Sequence, residues 1–249
     1  MNILTIIPAR MGSSRFPGKP MSLILNKPMI GHVYEKAMLS KISRTVAVAT
    51  CDKVIYDYII SIGGSAVMTA ECHERASDRC AEALLKLEKA NKVKYDIVVM
   101  VQGDEPMTHP NMIEEAVRPM MNDSSIQVTN LLGKINTLEE FEDRNCIKVV
   151  CDLQSNALFF SREPIPTRFK IDEIAMHKQV CIIPFRRDFL IKYTKLPPTP
   201  LEIAESVDMM RVLEHGFKIR MIPTLYQTYA VDNPADLEKV ELLMRNNKN

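Results

Sequence analysis

Short apolar runs alternate with longer amphipathic stretches through the first half of the chain: NILTIIPA, PMIGHVYEKAML, RTVAVAT, KVIYDYIISI, SAVMT, SDRCAEALLKLEKA and YDIVVMVQ. The short runs have strand length and are apolar at successive positions rather than at every second one, which is the pattern of strands covered on both faces by helices. Strand and helix in alternation predict βαβ units around a parallel sheet.

Beyond about residue 124 the rhythm changes. IQVTNLLG, CIKVVCD, ALFFSR and QVCIIPFR are strand-like runs separated by loops and short polar stretches, and they predict a mixed or antiparallel extension. One helix is predicted over TPLEIAESVDMMRVLEHG, with Thr199 as N-cap, Pro200 at the first helical position and Gly216 as the stop. KIRMIPT reads as a strand and NPADLEKVELLMRN as a closing helix. No repeat, linker or low-complexity segment interrupts the pattern. It predicts a single α/β domain over 1–249, with a half of about 1–124, a smaller inserted lobe of about 125–215 and a return to the core over about 216–249.

Composition narrows the partners. A chain of 249 residues that is 46% hydrophobic has enough apolar surface for a substantial core. With 32 basic against 31 acidic residues the formal charge is +1, so no global field draws nucleic acid or an anionic membrane, and any anion site must be local. No apolar run approaches the roughly 20 residues of a membrane-spanning helix, and ILTII is too short for a signal segment, which predicts a cytoplasmic protein. The cysteines Cys51, Cys72, Cys80, Cys146, Cys151 and Cys181 contain no C-x-x-C pair and read as free thiols. Cys72, His73 and Cys80 have poor spacing for zinc.

The candidate chemistry begins with ARMGSSRFPGKP, residues 9–20, which follows the first predicted strand. In an open α/β sheet that position is the carboxyl edge, where ligands collect. Glycines let backbone amides approach an anion, and Arg10, Arg15 and Lys19 neutralise charge, so the loop suits a polyphosphate. It is not a Walker loop, because five residues separate Gly12 from Gly18 and Pro20 follows Lys19, and the dinucleotide pattern G-x-G-x-x-G is absent. Asp104 follows the apolar run DIVVMV and arrives at the same edge, while Asp232 precedes a proline-started helix. An aspartate before a helix commonly serves as a cap.

The stretch IIPARMGSSRFPGKPMSLILNKPMIGHVYEKA, together with VQGDEPM, IKVVCD, ALFFSREPIP, TPLEIAESVDMMRVLEHG and VDNPADLEKV in the same order, resembles the sugar-acid cytidylyltransferases of the 3-deoxy-manno-octulosonate (KDO) type over nearly the whole chain. The resemblance implies a Rossmann-like nucleotidyltransferase fold, with a mostly parallel central sheet, helices on both faces and a smaller mixed or antiparallel lobe. It further implies a homodimer with Mg2+ as cofactor, coupling CTP to a 2-keto-3-deoxy sugar acid with release of pyrophosphate for bacterial surface polysaccharide. The first half would bind nucleotide, and the lobe would bind the acid and dimerise. Pro8, Ala9, Arg10, Arg15, Lys19, Ser77 and Arg79 would contact the nucleotide, with Arg10 and Lys19 also catalytic. Asp104 and Asp232 would hold the metal and serve catalysis. Gln102, Arg162, Lys178, Gln179 and Glu205 would face the acid.

Two stretches depart from that pattern. Where the family reads Ser-Gly-Thr, an acid and Arg, this chain has Arg75, Ala76, Ser77, Asp78 and Arg79. Where the family carries a basic residue and His before a strand, this chain has Lys178 and Gln179, with His177 two positions before the expected histidine. The acceptor is therefore open among KDO, an amino-substituted KDO, a nonulosonic acid and a smaller carboxylic acid. A non-catalytic CTP-binding regulatory protein is a second alternative.

Overall fold

The computed structural model describes residues 1–12, 15–169 and 174–246, in two compact units: Met1–Glu114 with Thr228–Asn249, and Glu115–Gln227. Ser13 and Ser14 of the opening loop lie outside the described residues.

The first unit runs β1 (Ile3–Ala9), a 3-10 turn (Lys19–Met21), β2 (Leu23–Ile24), β3 (Lys27–Pro28), α1 (Met29–Met38), β4 (Thr45–Thr50), α2 (Lys53–Ser61), β5 (Ala66–Met68), α3 (Ala76–Asn91) and β6 (Ile97–Val101). Within it β6, β1, β4 and β5 lie side by side, all parallel, with Ile6 opposite Ala47 on one side and Met100 on the other. Ile3, Leu4, Ile6 and Ile7 of β1 and all of β6 are buried, which accounts for the continuous apolar runs. The helices bury stripes at helical spacing: Met29, Ile30, Val33 and Ala37 on α1, and Cys80, Ala83, Leu84 and Leu87 on α3.

Next comes α4 (Pro110–Asn122). The second unit then holds β7 (Thr129–Lys134), α5 (Leu138–Glu142), β8 (Lys148–Cys151), β9 (Ala157–Ser161), β10 (His177–Val180), β11 (Ile182–Arg186), α6 (Arg187–Tyr193), α7 (Pro200–Glu205), α8 (Asp208–Glu214) and β12 (Arg220–Pro223). Its sheet has the order β12-β7-β10-β8-β9, antiparallel except for the parallel pair β12 and β7. The chain re-enters the first unit at Thr228 and ends in α9 (Pro234–Asn246). KIRMIPT therefore belongs to the second unit, and the return falls after it rather than at 216.

Two predicted elements divide. QVCIIPFR contributes to two strands separated at Cys181. TPLEIAESVDMMRVLEHG forms α7 and α8, with Ser206 between them in the left-handed region at φ 53°. The reason is Glu202, wholly buried, which accepts from Arg211 Nε at 2.7 Å and Nη2 at 2.6 Å. In one straight helix these residues would stand about 13 Å apart along the axis, and only a turn between them closes the pair. The amphipathic α4, with Met112, Ile113, Ala116, Val117 and Met120 buried at helical spacing, was not among the predicted helices.

Candidate active site

β1 delivers Pro8 and Ala9 to the carboxyl edge of the parallel sheet, and the exposed Arg10 follows. The opening loop is pinned at both ends. Met11 N–H donates to Asp52 Oδ2 at 2.8 Å, and Gly18 N–H donates to Met11 O at 3.0 Å. Gly18 sits at φ 77°, where a Cβ would be strained, and it turns the chain into the 3-10 turn that presents Lys19.

Lys19 Nζ donates to Asp104 Oδ2 at 3.0 Å and to the carbonyl of Val231 at 2.8 Å, and lies 3.6 Å from Asp232 Oδ1. Arg15 Nη2 lies 2.9 Å from the same Asp232 oxygen. Asp104 arrives on the loop after β6, where Gly103 packs tightly: a Cβ there would stand 3.3 Å from Pro8 O. Val231 N–H donates to Asp104 O at 2.9 Å, which ties the two aspartate segments together. Asn233 rather than Asp232 caps α9, its Oδ1 accepting the Asp236 amide at 3.0 Å while Asp236 Oδ2 accepts the amides of Asp232 and Asn233 in return, and the Asp232 carboxylate is left for Arg15 and Lys19. Burial pushes the Asp232 carboxyl above its usual range, and the negative charge of Asp104 adds to this, against the pull of Lys19 and Arg15. Gln102 is half-buried at the same strand end.

Ser77 and Arg79 are buried in the first turn of α3. Arg79 Nη1 donates to Thr69 Oγ1 at 2.5 Å and Ala70 O at 3.3 Å, and Nη2 has no hydrogen-bond partner among the described residues. Arg79 also acts on the thiol of Cys51, next to the Asp52 that holds the opening loop. Asp52 was not singled out from the sequence, although its place just after the β4 run TVAVAT puts it on the same sheet edge as the predicted residues.

In the second unit, Glu205 Oε1 accepts from Ser161 Oγ at 3.0 Å and Oε2 from Arg162 N–H at 2.9 Å. The Arg162 guanidinium donates to the carbonyls of Glu205, Arg144 and Ser206 at 2.8, 3.0 and 3.2 Å. Beneath them, the fully buried Lys148 places its ammonium on three carbonyls, of Asp143, Cys146 and Arg162, at 2.8, 2.7 and 2.6 Å. Burial lowers its pKa. Arg162 and Glu205 are thus brought together, whereas Lys178 and Gln179, adjacent on β10, point to opposite sheet faces. Lys178 Nζ pairs with Glu140 at 2.5 Å, and Gln179 Nε2 donates to Asn130 Oδ1 at 2.6 Å.

A family model described as "Cytidylyltransferase" matches residues 4–219 of the chain, which include the parallel sheet, its cationic edge loop and Asp104. This is the class of protein that the fold and site define. Among curated proteins, the 3-deoxy-manno-octulosonate cytidylyltransferase of Geobacter metallireducens is 41% identical over 251 residues, covering 96% of each chain. That of Syntrophus aciditrophicus is 42% identical over 239 residues, covering 96% of this chain and 95% of its own. A solved structure of CMP:2-keto-3-deoxy-manno-octonic acid synthetase complexed with CTP superposes with a TM-score of 0.89 at 39% identity, covering 99% of this chain and all of that one. A cytidylyltransferase from Leptospira borgpetersenii, 18% identical with a TM-score of 0.65, shares the fold. The chain belongs to the 3-deoxy-manno-octulosonate cytidylyltransferase family.

Proposed function

We propose that this chain transfers the cytidylyl group of CTP to a 2-keto-3-deoxy sugar acid of the KDO type, releasing pyrophosphate, as a step toward bacterial surface polysaccharide. The observation that carries the reading is the meeting of Arg15, Lys19, Asp104 and Asp232 at the carboxyl edge of a parallel sheet in a member of this family. Arg10, Arg15 and Lys19 neutralise the triphosphate, with Pro8 and Ala9 offering backbone beside it. The buried guanidinium of Arg79, with Nη2 available among the described residues, and Ser77 in the same helix turn support a nucleotide role for both.

The donor set fits magnesium. Asp104 and Asp232 are hard carboxylates that face one ammonium from two distant segments, and they would hold the ion. Bound there, magnesium supplies charge neutralisation on the phosphates. The anomeric 2-hydroxyl oxygen of the acid bonds to the α-phosphorus as the bond to the β-phosphate oxygen breaks. Pyrophosphate leaves, and the hydroxyl proton passes to solvent; no protein base is assigned. The chain's own contribution is orientation and charge, with Gln102, Arg162, Gln179 and Glu205 directed to the acid and Lys178 acting through its pair with Glu140.

The protein is further read as a cytoplasmic homodimer. In support, its described cysteines are free, and the second unit exposes Leu158 on the edge strand β9. No helix among the described residues is long and apolar enough to cross a membrane.

Incubating the purified protein with CTP, MgCl2 and KDO and following pyrophosphate tests the reading; release that requires both CTP and the acid supports it. A second reading, a different acid as acceptor, is favoured by Ala76 in the first turn of α3 and by Gln179 held on Asn130. Product from another acid of a panel and none from KDO would select it. CTP binding without turnover of any acid would select the regulatory alternative.

A further inference from the structure

Asp52 occupies the N-cap of α2, where an aspartate ordinarily accepts an amide of the first helical turn through its side chain. Here the side chain makes no such bond. The Ile55 amide that it would serve is taken by the main-chain carbonyl of Asp52 at 3.2 Å, and Tyr56 N–H donates to the same carbonyl at 3.1 Å. The carboxylate is thereby released from the helix and turns to the opening loop, where Oδ2 accepts the Met11 N–H at 2.8 Å. The thiol of Cys51 donates to the same oxygen at 3.5 Å, and burial raises the pKa of that thiol, which keeps its proton in place to donate. Asp52 is itself held from the end of β4, its N–H donating at 3.1 Å to the hydroxyl of the wholly buried Thr50. A fixed strand end thus grips the loop through one charged acceptor.

On charge alone a carboxylate is a poor neighbour for a loop that gathers Arg10, Arg15 and Lys19, because it offsets one of their charges. As an anchor it fits, since an ionised acceptor bonds an amide about twice as strongly as a neutral one. Met11 directly follows Arg10, and its carbonyl accepts the Gly18 N–H at 3.0 Å, so a restraint on Met11 reaches both ends of the loop. We propose that Asp52 is a positioning residue for the transfer, its carboxylate oxygen holding the Met11 amide so that the cations of the loop meet the triphosphate in one arrangement. This deepens the proposed function and rests on its reading that the loop receives CTP. Asp52 acts through Met11 and is assigned no contact with the nucleotide. The leverage is large, because a misplacement of about 1 Å at a reacting group costs on the order of 100-fold in rate.

The test compares wild type with Asp52→Ala, Asp52→Ser and Asp52→Asn in two measurements. One is hydrogen exchange of the Met11 amide in the free protein, which needs no turnover. The other is steady-state kinetics with CTP and the acid varied in turn. Asparagine keeps an oxygen acceptor at the same reach, whereas serine keeps a capping hydroxyl for α2 but is too short for Met11, so the two separate the loop from the helix. Asp52→Ala and Asp52→Ser should speed exchange about tenfold or more and lower kcat/KM for CTP about 10- to 100-fold. KM for the acid should stay within about twofold and melting temperatures should change little, because Asp52 does not cap α2 through its side chain. Asp52→Asn should remain within about fivefold of wild type in both measurements. Wild-type exchange in Asp52→Ala, or faster exchange with unchanged kinetics, would overturn the proposal. So would wild-type activity in Asp52→Ser, which would place the role in α2, or a loss in Asp52→Asn as large as in Asp52→Ala, which would place it in the charge. Absence of turnover of any acid by the wild type would overturn the proposed activity and the transfer role with it, while the exchange rates still decide whether Asp52 holds the loop.

Discussion

Lys19 Nζ stands 3.0 Å from Asp104 Oδ2 and 3.6 Å from Asp232 Oδ1, so one ammonium faces both carboxylates. Lys19 is largely buried, with 13% of its side chain exposed, and donates to Val231 O as well. It balances like charges in the protein and, on the proposed function, neutralises the triphosphate. Lys19→Ala is expected to lower kcat/KM for CTP by about 100-fold or more, as loss of an oriented charge does. Lys19→Arg should retain part of the activity, because Lys acts here as a point charge. Steady-state kinetics with CTP varied at saturating acid check this.

Glu202 and Arg211 form a buried bidentate pair and hold α7 against α8 across the turn at Ser206. Removing one partner strands the other charge, so Arg211→Met should lower the unfolding free energy by about 3 to 5 kcal/mol. The double substitution Glu202→Met with Arg211→Met should recover most of that loss, since neither charge then remains. Urea unfolding of the three variants measures both.

Glu82 on α3 accepts from His73 Nε2 at 2.5 Å, from the Ala70 amide at 2.9 Å and from Lys86 at 2.7 Å, and so fastens the segment before α3. Burial pushes its carboxyl up, but these bonds outweigh it and hold the pKa down to about 2 from 4.5. A depressed carboxylate stabilises the fold above its unfolded pKa and loses that contribution as pH falls from 4.5 toward 2. The shift corresponds to a ceiling of about 3 kcal/mol, which solvent screening of a quarter-exposed group reduces to about 1 to 2. Glu82→Gln should destabilise by that amount at pH 7 and flatten the acid limb of a stability-against-pH curve.

Much of this was legible in the sequence, for physical reasons that also mark where legibility stops. β1, β4 and β6 lie where their apolar runs predict, because strands covered on both faces must be apolar throughout. The opening loop and Asp104 could be brought together because carboxyl ends of parallel strands share one edge, whereas Asp232, which follows no strand of that sheet, was joined to them by the family resemblance. The break at Ser206 was hidden, since the apolar spacing runs on through it and only the Glu202–Arg211 pairing, a contact made in three dimensions, requires the turn. Lys178 and Gln179 read as one patch in sequence, yet a strand sends neighbours to opposite faces, and their partners Glu140 and Asn130 lie far off in the chain. α4 was a different kind of miss, because its stripe of buried residues was present in the sequence.

The central claim is that Asp104 and Asp232 act together with Lys19 on a CTP-dependent transfer. It is tested most directly by pyrophosphate release from CTP, MgCl2 and KDO with wild type, Asp104→Asn and Asp232→Asn side by side. Asparagine preserves size but removes the charge that would hold the metal, so the account predicts acid-dependent release by the wild type and a loss of about 1000-fold or more in each variant, with melting temperatures little changed. Wild-type rates in either folded variant would contradict it.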